Sequence, residues 1–320
     1  GSGYEIAKDA DLAIEAVFED VDVKKEAFAN LAAVMRDDAI LATNTSYLDP
    51  RDIFAGIAYP SRCAGLHFFS PAHIMKLLEV VKLPDTSADT LATAFALAKR
   101  LRKVAVLSGI CDGFIGNRML AAYRRAAEYM IADGATPKQI DDAMRSYGMA
   151  MGPFEAQDMS GLQIAQANRR RQDPTRPSAE RYVTISDQLC DLGRTGQRVG
   201  FGWYRYDSGT RKPIVDTVVT ELIERYSADN GITRQAYSKQ QIQSHLLAVL
   251  ANEGARIVEE GIAEDDTAVD MVQLHGYGFP RWRGGPMFAA TTAGRNEIRA
   301  AFDALDAQSP GSWVRADRYA

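Results

Sequence analysis

The feature that most constrains this chain is the alternation of two kinds of segment between residues 4 and 110. Short apolar runs of strand length are separated by segments whose apolar residues recur at helical spacing. The runs are DLAIEAVF, AILATNTS, CAGLHFF, LLEVVKL and KVAVLSG, and the helical segments are DVKKEAFANLAAVM and ADTLATAFALAKRLRK. Strands that alternate with helices predict an α/β fold with a mostly parallel, Rossmann-like sheet.

From residue 113 onward the pattern is mainly that of long helices. One interruption, GRTGQRVGFGWYRYD, is rich in glycine and aromatic residues and predicts a turn with short extended pieces. A second, RRRQDPTRPSAE, is rich in proline and arginine and predicts a loop with a solvated basic cluster. The second part of the chain is therefore expected to be mainly helical.

This helical part repeats itself weakly. The segment from Arg118 to Gly134 aligns without a gap with the segment from His245 to Gly261. Each copy continues into a helical pattern that contains Asp and later reaches a Gly-Pro pair, although the spacing after the glycines differs. The repeat predicts two related helical domains.

Composition narrows the classes of function. The net charge of the 320 residues is -5, which gives no polycationic signature for nucleic acid. No apolar run approaches the ~20 residues of a membrane span, so no membrane span is expected. The three cysteines lack CxxC spacing, and the sequence shows no Cys/His cluster of the kind that binds a metal. We therefore expect reduced thiols, a cytoplasmic protein and a small-molecule ligand.

An ionisable pair lies inside two of the predicted strands. His67 lies near the end of one strand, and Glu79 lies among leucines and valines in the next. A buried carboxylate is costly unless it is paired, and a carboxylate that orients a histidine is a standard way to build a general base. Asn44 and Ser46 end the preceding strand and could converge on the same crevice. The alternative is that His67 is a satisfied core residue.

Three segments carry a family resemblance. NTSYLDP, GLHFFSPAHIMKLLEVV and DGFIGNRML resemble signature segments of the L-3-hydroxyacyl-CoA dehydrogenases, most closely the dehydrogenase part of multifunctional fatty-acid β-oxidation enzymes. HGYGFPRWRGGPMFAA resembles the end of those proteins, where the helical domain is duplicated. The resemblance covers about residues 10–295 and implies NAD-dependent oxidation of (S)-3-hydroxyacyl-CoA to 3-ketoacyl-CoA.

The resemblance also implies roles for single residues. His67 would be the general base and Glu79 its partner, Ser46 would bind the substrate hydroxyl near the nicotinamide, and Asn117 would bind the substrate carbonyl oxygen. These and the cofactor-binding positions make up the expected site: His67, Glu79, Ser46 and Asn117 as catalytic residues, and Glu19, Lys24, Asn44 and Ser46 as cofactor contacts. Without the resemblance, Glu19 and Lys24 would be interpreted as plain surface charge.

One expected motif is missing. A dinucleotide fold begins with a strand and a GxGxxG turn that receives the pyrophosphate, and the sequence before DLAIEAVF lacks such a motif. We therefore expect residues 1–110 to form the C-terminal half of a Rossmann domain, with DLAIEAVF at an uncovered sheet edge. Without the first half of the dinucleotide fold, we expect the chain to bind NAD weakly and to be inactive as a fragment.

The expected organisation has two further parts and leaves alternatives open. Helical C-terminal-type domains would occupy residues 111–232 and 233–320. The protein would be monomeric, or joined in its parent to an enoyl-CoA hydratase domain, and the terminal RYA is no known peroxisomal signal. The alternatives to the acyl-CoA enzyme are a non-catalytic helical scaffold and a dehydrogenase of free hydroxy acids.

Overall fold

The computed structural model describes residues 3–320, and its N-terminal part is built on a five-stranded sheet. The strands are β1 (Leu12–Glu15), β2 (Ile40–Thr43), β3 (Cys63–Phe68), β4 (Leu77–Val81) and β5 (Val104–Ser108), adjacent in chain order. Only β3 and β4 pair antiparallel; the other neighbours are parallel. The predicted α/β fold with a mostly parallel sheet is confirmed, and each predicted strand segment contains one of these strands.

Helices connect the strands and make up the rest of the chain. In the first part they are α1 (Val21–Val34), α2 (Pro50–Ile53) and α3 (Ala88–Arg100). The others are α4 (Gly116–Asp133), α5 (Pro137–Tyr147), α6 (Pro153–Ser160), α7 (Leu162–Gln172), α8 (Ile185–Asp191), α9 (Thr217–Asp229), α10 (Lys239–Glu259), α11 (Asp266–Gly276), α12 (Pro286–Ala293) and α13 (Arg295–Gln308). None of the helices in residues 3–320 combines the length and the apolar character that crossing a bilayer requires.

The sheet is buried on both faces. Leu41 of β2 packs with Phe28 of α1 and Ile53 of α2, whereas the next residue, Ala42, packs on the other face with Ala94 of α3. Successive side chains of a strand point to opposite faces, so each face of β2 contributes to a separate apolar cluster. Burial on both faces explains why the strand segments are nearly continuous apolar runs.

β1 is an edge strand, as predicted. Among the described residues it pairs with β2 alone. Ile14 within β1 is partly exposed, and Phe18 just beyond it is 79% exposed. Unpaired backbone and exposed apolar side chains therefore lie together at this edge.

The register of β3 and β4 aligns the predicted ionisable pair. His67 lies directly opposite Glu79, and Gly65 lies directly opposite Val81. A Cβ atom on Gly65 would lie 2.6 Å from the Val81 Cβ, so this close approach of the two strands requires glycine.

By contacts, the chain divides into two compact units. The first comprises residues up to Met119 together with Gly254–Tyr277, and the second comprises Leu120–Glu253 and Gly278–Ala320. The first unit contains the whole sheet, and the second is mainly helical. The predicted domain boundaries after residues 110 and 232 follow the sequence repeat instead of contacts, and they stay a prediction.

The helices occur in the repeated order that the sequence suggested. Long helices α4 and α10 are each followed by an 11-residue helix and then an 8-residue helix that begins at the proline of a Gly-Pro pair. In both copies a glycine, Gly161 or Gly294, then separates the 8-residue helix from the next one. The succession agrees with a duplicated helical element.

Two predictions for the helical part have different outcomes. The glycine-rich segment forms a turn with isolated bridges, Gly196 to Phe201 and Phe201 to Arg205, as expected. The prediction that the basic segment is a solvated loop is wrong for its start. Arg169, within α7, is mostly buried and forms an ion pair with Asp187. The reason is that α7 continues to Gln172, so a carboxylate on a neighbouring helix neutralises this arginine.

Replacing Gly65 by alanine tests the tight approach of β3 and β4. We expect the free energy of unfolding to fall by about 1–3 kcal/mol, because the added methyl group overpacks a fully buried site. Urea titration of both proteins measures the change. Gly3→Ala, where an added Cβ meets nothing within 4 Å, is the control and should be neutral. Equal stability of the two variants would contradict the close-packing argument.

Candidate active site

The site is centred on a buried imidazole–carboxylate pair. The Nδ1 atom of His67 lies 2.7 Å from Oε2 of Glu79. His67 is 3% exposed and Glu79 is fully buried. Because the two residues face each other across β3 and β4, the sheet itself fixes their separation.

The second oxygen of the same carboxylate is bound by a helix. The backbone N–H of Gly116, the first residue of α4, donates to Oε1 of Glu79 at 2.9 Å. The N-terminus of a helix carries partial positive charge, which stabilises a carboxylate there. Glu79 therefore has a partner for each oxygen, which compensates the cost of burying its charge.

This arrangement sets the chemistry that the imidazole can perform. With Nδ1 hydrogen-bonded to a carboxylate, the ring presents Nε2 as the nitrogen that can accept a proton. The carboxylate then stabilises the imidazolium that forms. The pair has the geometry of an oriented general base.

Aromatic rings cover the imidazole. The ring of Phe69 lies 4.4 Å from the His67 ring between centroids, and the ring of Phe114 lies at 5.6 Å. Phe68, by contrast, packs against the core cluster that contains Leu66 and Leu78. Of the two phenylalanines in the motif, Phe69 shields the histidine and Phe68 is core.

The two residues at the end of β2 have different surroundings. Oδ1 of Asn44 accepts a hydrogen bond from the backbone N–H of Phe68 at 2.8 Å, so Asn44 is tied to the residue next to His67. The backbone N–H of Ser46 donates to Oε1 of Glu19 at 2.8 Å. The structure thus brings Asn44 to the His67 strand and links Ser46 to Glu19.

A buried lysine organises the carboxyl ends of β1 and β2. The Nζ atom of Lys24 lies 2.7 Å from Glu15 and 3.2 Å from Glu19. Glu15 also accepts a hydrogen bond from the Thr43 hydroxyl at 2.8 Å. The interpretation of Lys24 as surface charge is wrong, because its side chain is only 1% exposed and points inward to these two carboxylates.

Glu19 connects this cluster to the loop after β2. Burial alone would raise the pKa of Glu19, but hydrogen bonds from the Thr45 hydroxyl and the Ser46 N–H, together with the Lys24 ammonium, outweigh burial and lower that pKa. The carboxylate is thus held ionised at neutral pH. Its side chain is 39% exposed, so it is accessible from solvent at the edge where dinucleotides bind in such sheets.

The residues fit one part of a dinucleotide better than another. Glu19 and Asn44 are polar groups at the carboxyl ends of strands, which suits ribose and nicotinamide. The N-terminus of α1, the helix that follows β1, is already closed by a carboxylate, since Asp20 accepts hydrogen bonds from Asp22 N–H at 3.0 Å and Val23 N–H at 3.1 Å. A pyrophosphate anion therefore does not fit at that helix terminus.

Asn117 adjoins the pair through the first turn of α4. Its Oδ1 atom accepts a hydrogen bond from the Tyr277 hydroxyl at 2.9 Å, and Gly116 beside it binds Glu79. Sequence reasoning did not select Tyr277 or Gly116. The segments HGYGFP and GFIGNR contain these residues, but nothing in the sequence pattern shows that they meet.

Replacing Lys24 by methionine tests the buried charge cluster. We expect a loss of about 3–5 kcal/mol in the free energy of unfolding, because the substitution leaves the Glu15 carboxylate buried without its cation. Chemical denaturation at neutral pH measures the loss. Lys25→Met, one residue along the same helix at a partly exposed position, is the control and should change stability by less than about 1 kcal/mol. A similar small change for both variants would contradict the role of Lys24.

Comparison with known proteins identifies the family. Residues 2–111 match the model of the 3-hydroxyacyl-CoA dehydrogenase NAD binding domain, and residues 113–206 match the model of the C-terminal domain of the same enzymes. The peroxisomal bifunctional enzyme of Cavia porcellus is 43% identical over 89% of this chain and 41% of its own length. The chain thus spans about two fifths of the length of the curated relatives it matches.

Solved structures agree with this result. The dehydrogenase part of multifunctional enzyme 1 from C. elegans has a TM-score of 0.70 and is 30% identical, over 99% of this chain and 73% of that one. The 3-hydroxybutyryl-CoA dehydrogenase of Escherichia coli has a TM-score of 0.80 at 24% identity, over 100% of this chain and 81% of that one, which shows the shared fold.

The curated relatives also correct one prediction. Animal and plant relatives carry the words peroxisomal or glyoxysomal in their names. The prediction of a cytoplasmic protein is therefore wrong. It rested on reduced cysteines, which do not distinguish the cytosol from a peroxisome. The family models and the related structures together show that this chain belongs to the 3-hydroxyacyl-CoA dehydrogenase family.

Proposed function

We propose that the chain performs the NAD-dependent oxidation of (S)-3-hydroxyacyl-CoA to 3-ketoacyl-CoA in fatty-acid β-oxidation. The observation that carries this proposal is the buried contact of 2.7 Å between His67 and Glu79. Oxidation of a secondary alcohol requires a base for the hydroxyl proton and an acceptor for the hydride. The pair supplies the base, and family membership supports the substrate class.

The proton follows a simple route in this mechanism. Nε2 of His67 accepts the proton of the substrate 3-hydroxyl while the carbon–hydrogen bond breaks. Glu79 stabilises the resulting imidazolium through Nδ1. NAD, when bound, supplies the hydride acceptor. In the reverse direction His67 returns the proton to the oxygen of the 3-keto group.

Two further residues complete the proposed substrate site. Ser46 would hydrogen-bond the hydroxyl oxygen, and the Asn117 amide would donate to the carbonyl oxygen of the substrate. Both are partly exposed, so a ligand can reach them. Phe69 lies over the His67 ring and would exclude water, which strengthens the electrostatic effect of Glu79.

For the cofactor, we propose that Glu19 and Asn44 contact the nicotinamide and ribose half. Lys24 would act through Glu19, because its buried ammonium lies 3.2 Å from that carboxylate. Asp20 occupies the N-terminus of α1, where its carboxylate accepts hydrogen bonds from the Asp22 and Val23 N–H groups. We therefore expect weak affinity for NAD.

The chain would work as part of a longer enzyme. Relatives of more than twice its span are named bifunctional or multifunctional. We propose that an enoyl-CoA hydratase domain in the same polypeptide supplies the 3-hydroxyacyl-CoA. Residues 111–232 and 233–320 would be the two helical C-terminal-type domains of the dehydrogenase part.

A second candidate function is that of a non-catalytic helical scaffold. The closed N-terminus of α1 favours it, because a phosphate at that helix terminus would meet the Asp20 carboxylate. A scaffold, however, gains nothing from burying a carboxylate hydrogen-bonded to an imidazole, as Glu79 is to His67. Turnover of acyl-CoA thioesters distinguishes the two functions.

Replacing His67 by glutamine tests the proposed base. With acetoacetyl-CoA and NADH near saturation, we expect the rate of NADH absorbance loss to fall by at least about 10²-fold, because glutamine cannot transfer the proton. The exposed His73 lies in the loop that follows β3, and His73→Gln is the matched control. Equal rates for the two variants would contradict the role of His67, and an inactive wild-type chain would favour the scaffold.

Thermal unfolding with ligands tests the cofactor site. We expect sub-millimolar NADH to raise the melting temperature little, because stabilisation grows only as the ligand concentration exceeds its Kd. Reduced nicotinamide mononucleotide should stabilise as much as NADH, since the proposed contacts of Glu19 and Asn44 are with the nicotinamide and ribose half. A marked shift with NADH alone would show that the adenine half is also bound and would refute the weak-affinity prediction.

A further inference from the structure

We propose that Tyr277 is a positioning residue that fixes the Asn117 amide for the carbonyl oxygen of the substrate. The proposal rests on the function proposed above and extends it to a residue outside the expected set. It concerns a tyrosine at the end of α11, about 160 residues after Asn117, within the same compact unit.

The hydrogen bond between Tyr277 and Asn117 has a defined donor and acceptor. The Tyr277 hydroxyl donates to Oδ1 of Asn117 at 2.9 Å. A side-chain amide is planar, and its acceptor oxygen and its donor nitrogen point in different directions from the same carbon. Because Tyr277 binds the oxygen, the Nδ2 group of Asn117 points away from Tyr277, where it can donate a hydrogen bond to substrate. A carbonyl oxygen needs such a donor, whereas the opposite orientation would present oxygen to oxygen.

The missing side chain of Gly116 leaves room for the Tyr277 ring. A Cβ atom on Gly116 would lie 2.5 Å from the hydroxyl oxygen and from the ring atom Cε2 of Tyr277. Real side chains do not approach so closely, so glycine at this position is required for the tyrosine to reach Asn117. The same residue donates its N–H to Glu79. Gly116 thus links the Tyr277 contact to the catalytic pair.

The Tyr277 ring makes a separate contact with an aromatic neighbour of His67. It packs edge-on against Phe69 at 5.5 Å between centroids, and Phe69 packs on His67 at 4.4 Å. Tyr277 therefore contacts Asn117 directly and His67 through Phe69. The hydroxyl serves Asn117 and the ring serves Phe69, so the two contributions can be separated by removing the hydroxyl alone.

The repeat has a tyrosine at this helix end in both copies. Tyr147 at the end of α5 and Tyr277 just after α11 each precede a glycine with positive φ, Gly148 at 113° and Gly278 at 70°. Glycine is common there because it adopts the left-handed conformation. In the second copy the tyrosine before that glycine reaches the residue proposed to bind substrate.

The test is a double-mutant cycle between Tyr277→Phe and Asn117→Ala. We expect Tyr277→Phe to weaken acetoacetyl-CoA binding and to lower kcat/KM for acetoacetyl-CoA by about tenfold each, the usual effect of one hydrogen bond. In the Asn117→Ala background the same change should cost less than about twofold, because the tyrosine acts through Asn117. The KM for NADH should stay unchanged. Titration calorimetry and NADH absorbance measure these quantities.

The controls make each failure interpretable. Tyr59→Phe, at a tyrosine that is 55% exposed in the same unit, should change neither constant. If Tyr277→Phe equals the wild type, or costs the same with and without the Asn117 amide, the positioning role is wrong while the proposed function stands. If the wild-type chain neither binds nor reduces acetoacetyl-CoA, the proposed function fails and this inference fails with it.

Discussion

The carboxylate of Glu79 is the group on which the rest of the site depends. It is fully buried in a sheet, where an ion without partners would be costly. His67 binds one oxygen from the facing strand, and Gly116 binds the other from the start of α4. The compensation of one charge therefore joins the sheet to the helix that carries Asn117. A base and a proposed carbonyl-binding amide are held together by the same buried ion.

The second buried charge of the sheet follows the same logic with the signs reversed. Lys24 is an ammonium that lies between Glu15 and Glu19 beneath the carboxyl ends of β1 and β2. Apolar packing alone does not explain the burial of Lys24 or of His67, because each side chain needs a carboxylate partner inside the fold. The two clusters share a consequence: they orient polar groups at one edge of the sheet without leaving buried charge uncompensated.

Much of this was readable from sequence, and the limits have a physical cause. Strand-length apolar runs predicted every strand of the sheet. An ionisable residue inside each of two successive apolar strands predicted the pairing of His67 and Glu79, which the register of β3 and β4 provides. The burial of Lys24 could not be predicted, because it depends on how α1 packs on the sheet. Tyr277 was missed for a related reason: its partner is distant in the chain, and only tertiary structure brings the two together.

The repeat shows how a duplicated framework can hold such a residue. Both copies keep the order of helices, the Gly-Pro pair and the glycine before the following helix. These features set backbone direction and are satisfied by helix length and by glycine or proline, so they tolerate changes elsewhere. At the end of the 11-residue helix each copy also has a tyrosine followed by a glycine of positive φ, Tyr147–Gly148 and Tyr277–Gly278. The glycine supplies the left-handed conformation that ends the helix, so the side chain before it does not have to. In the second copy that side chain makes a different contact, and its hydroxyl reaches Asn117.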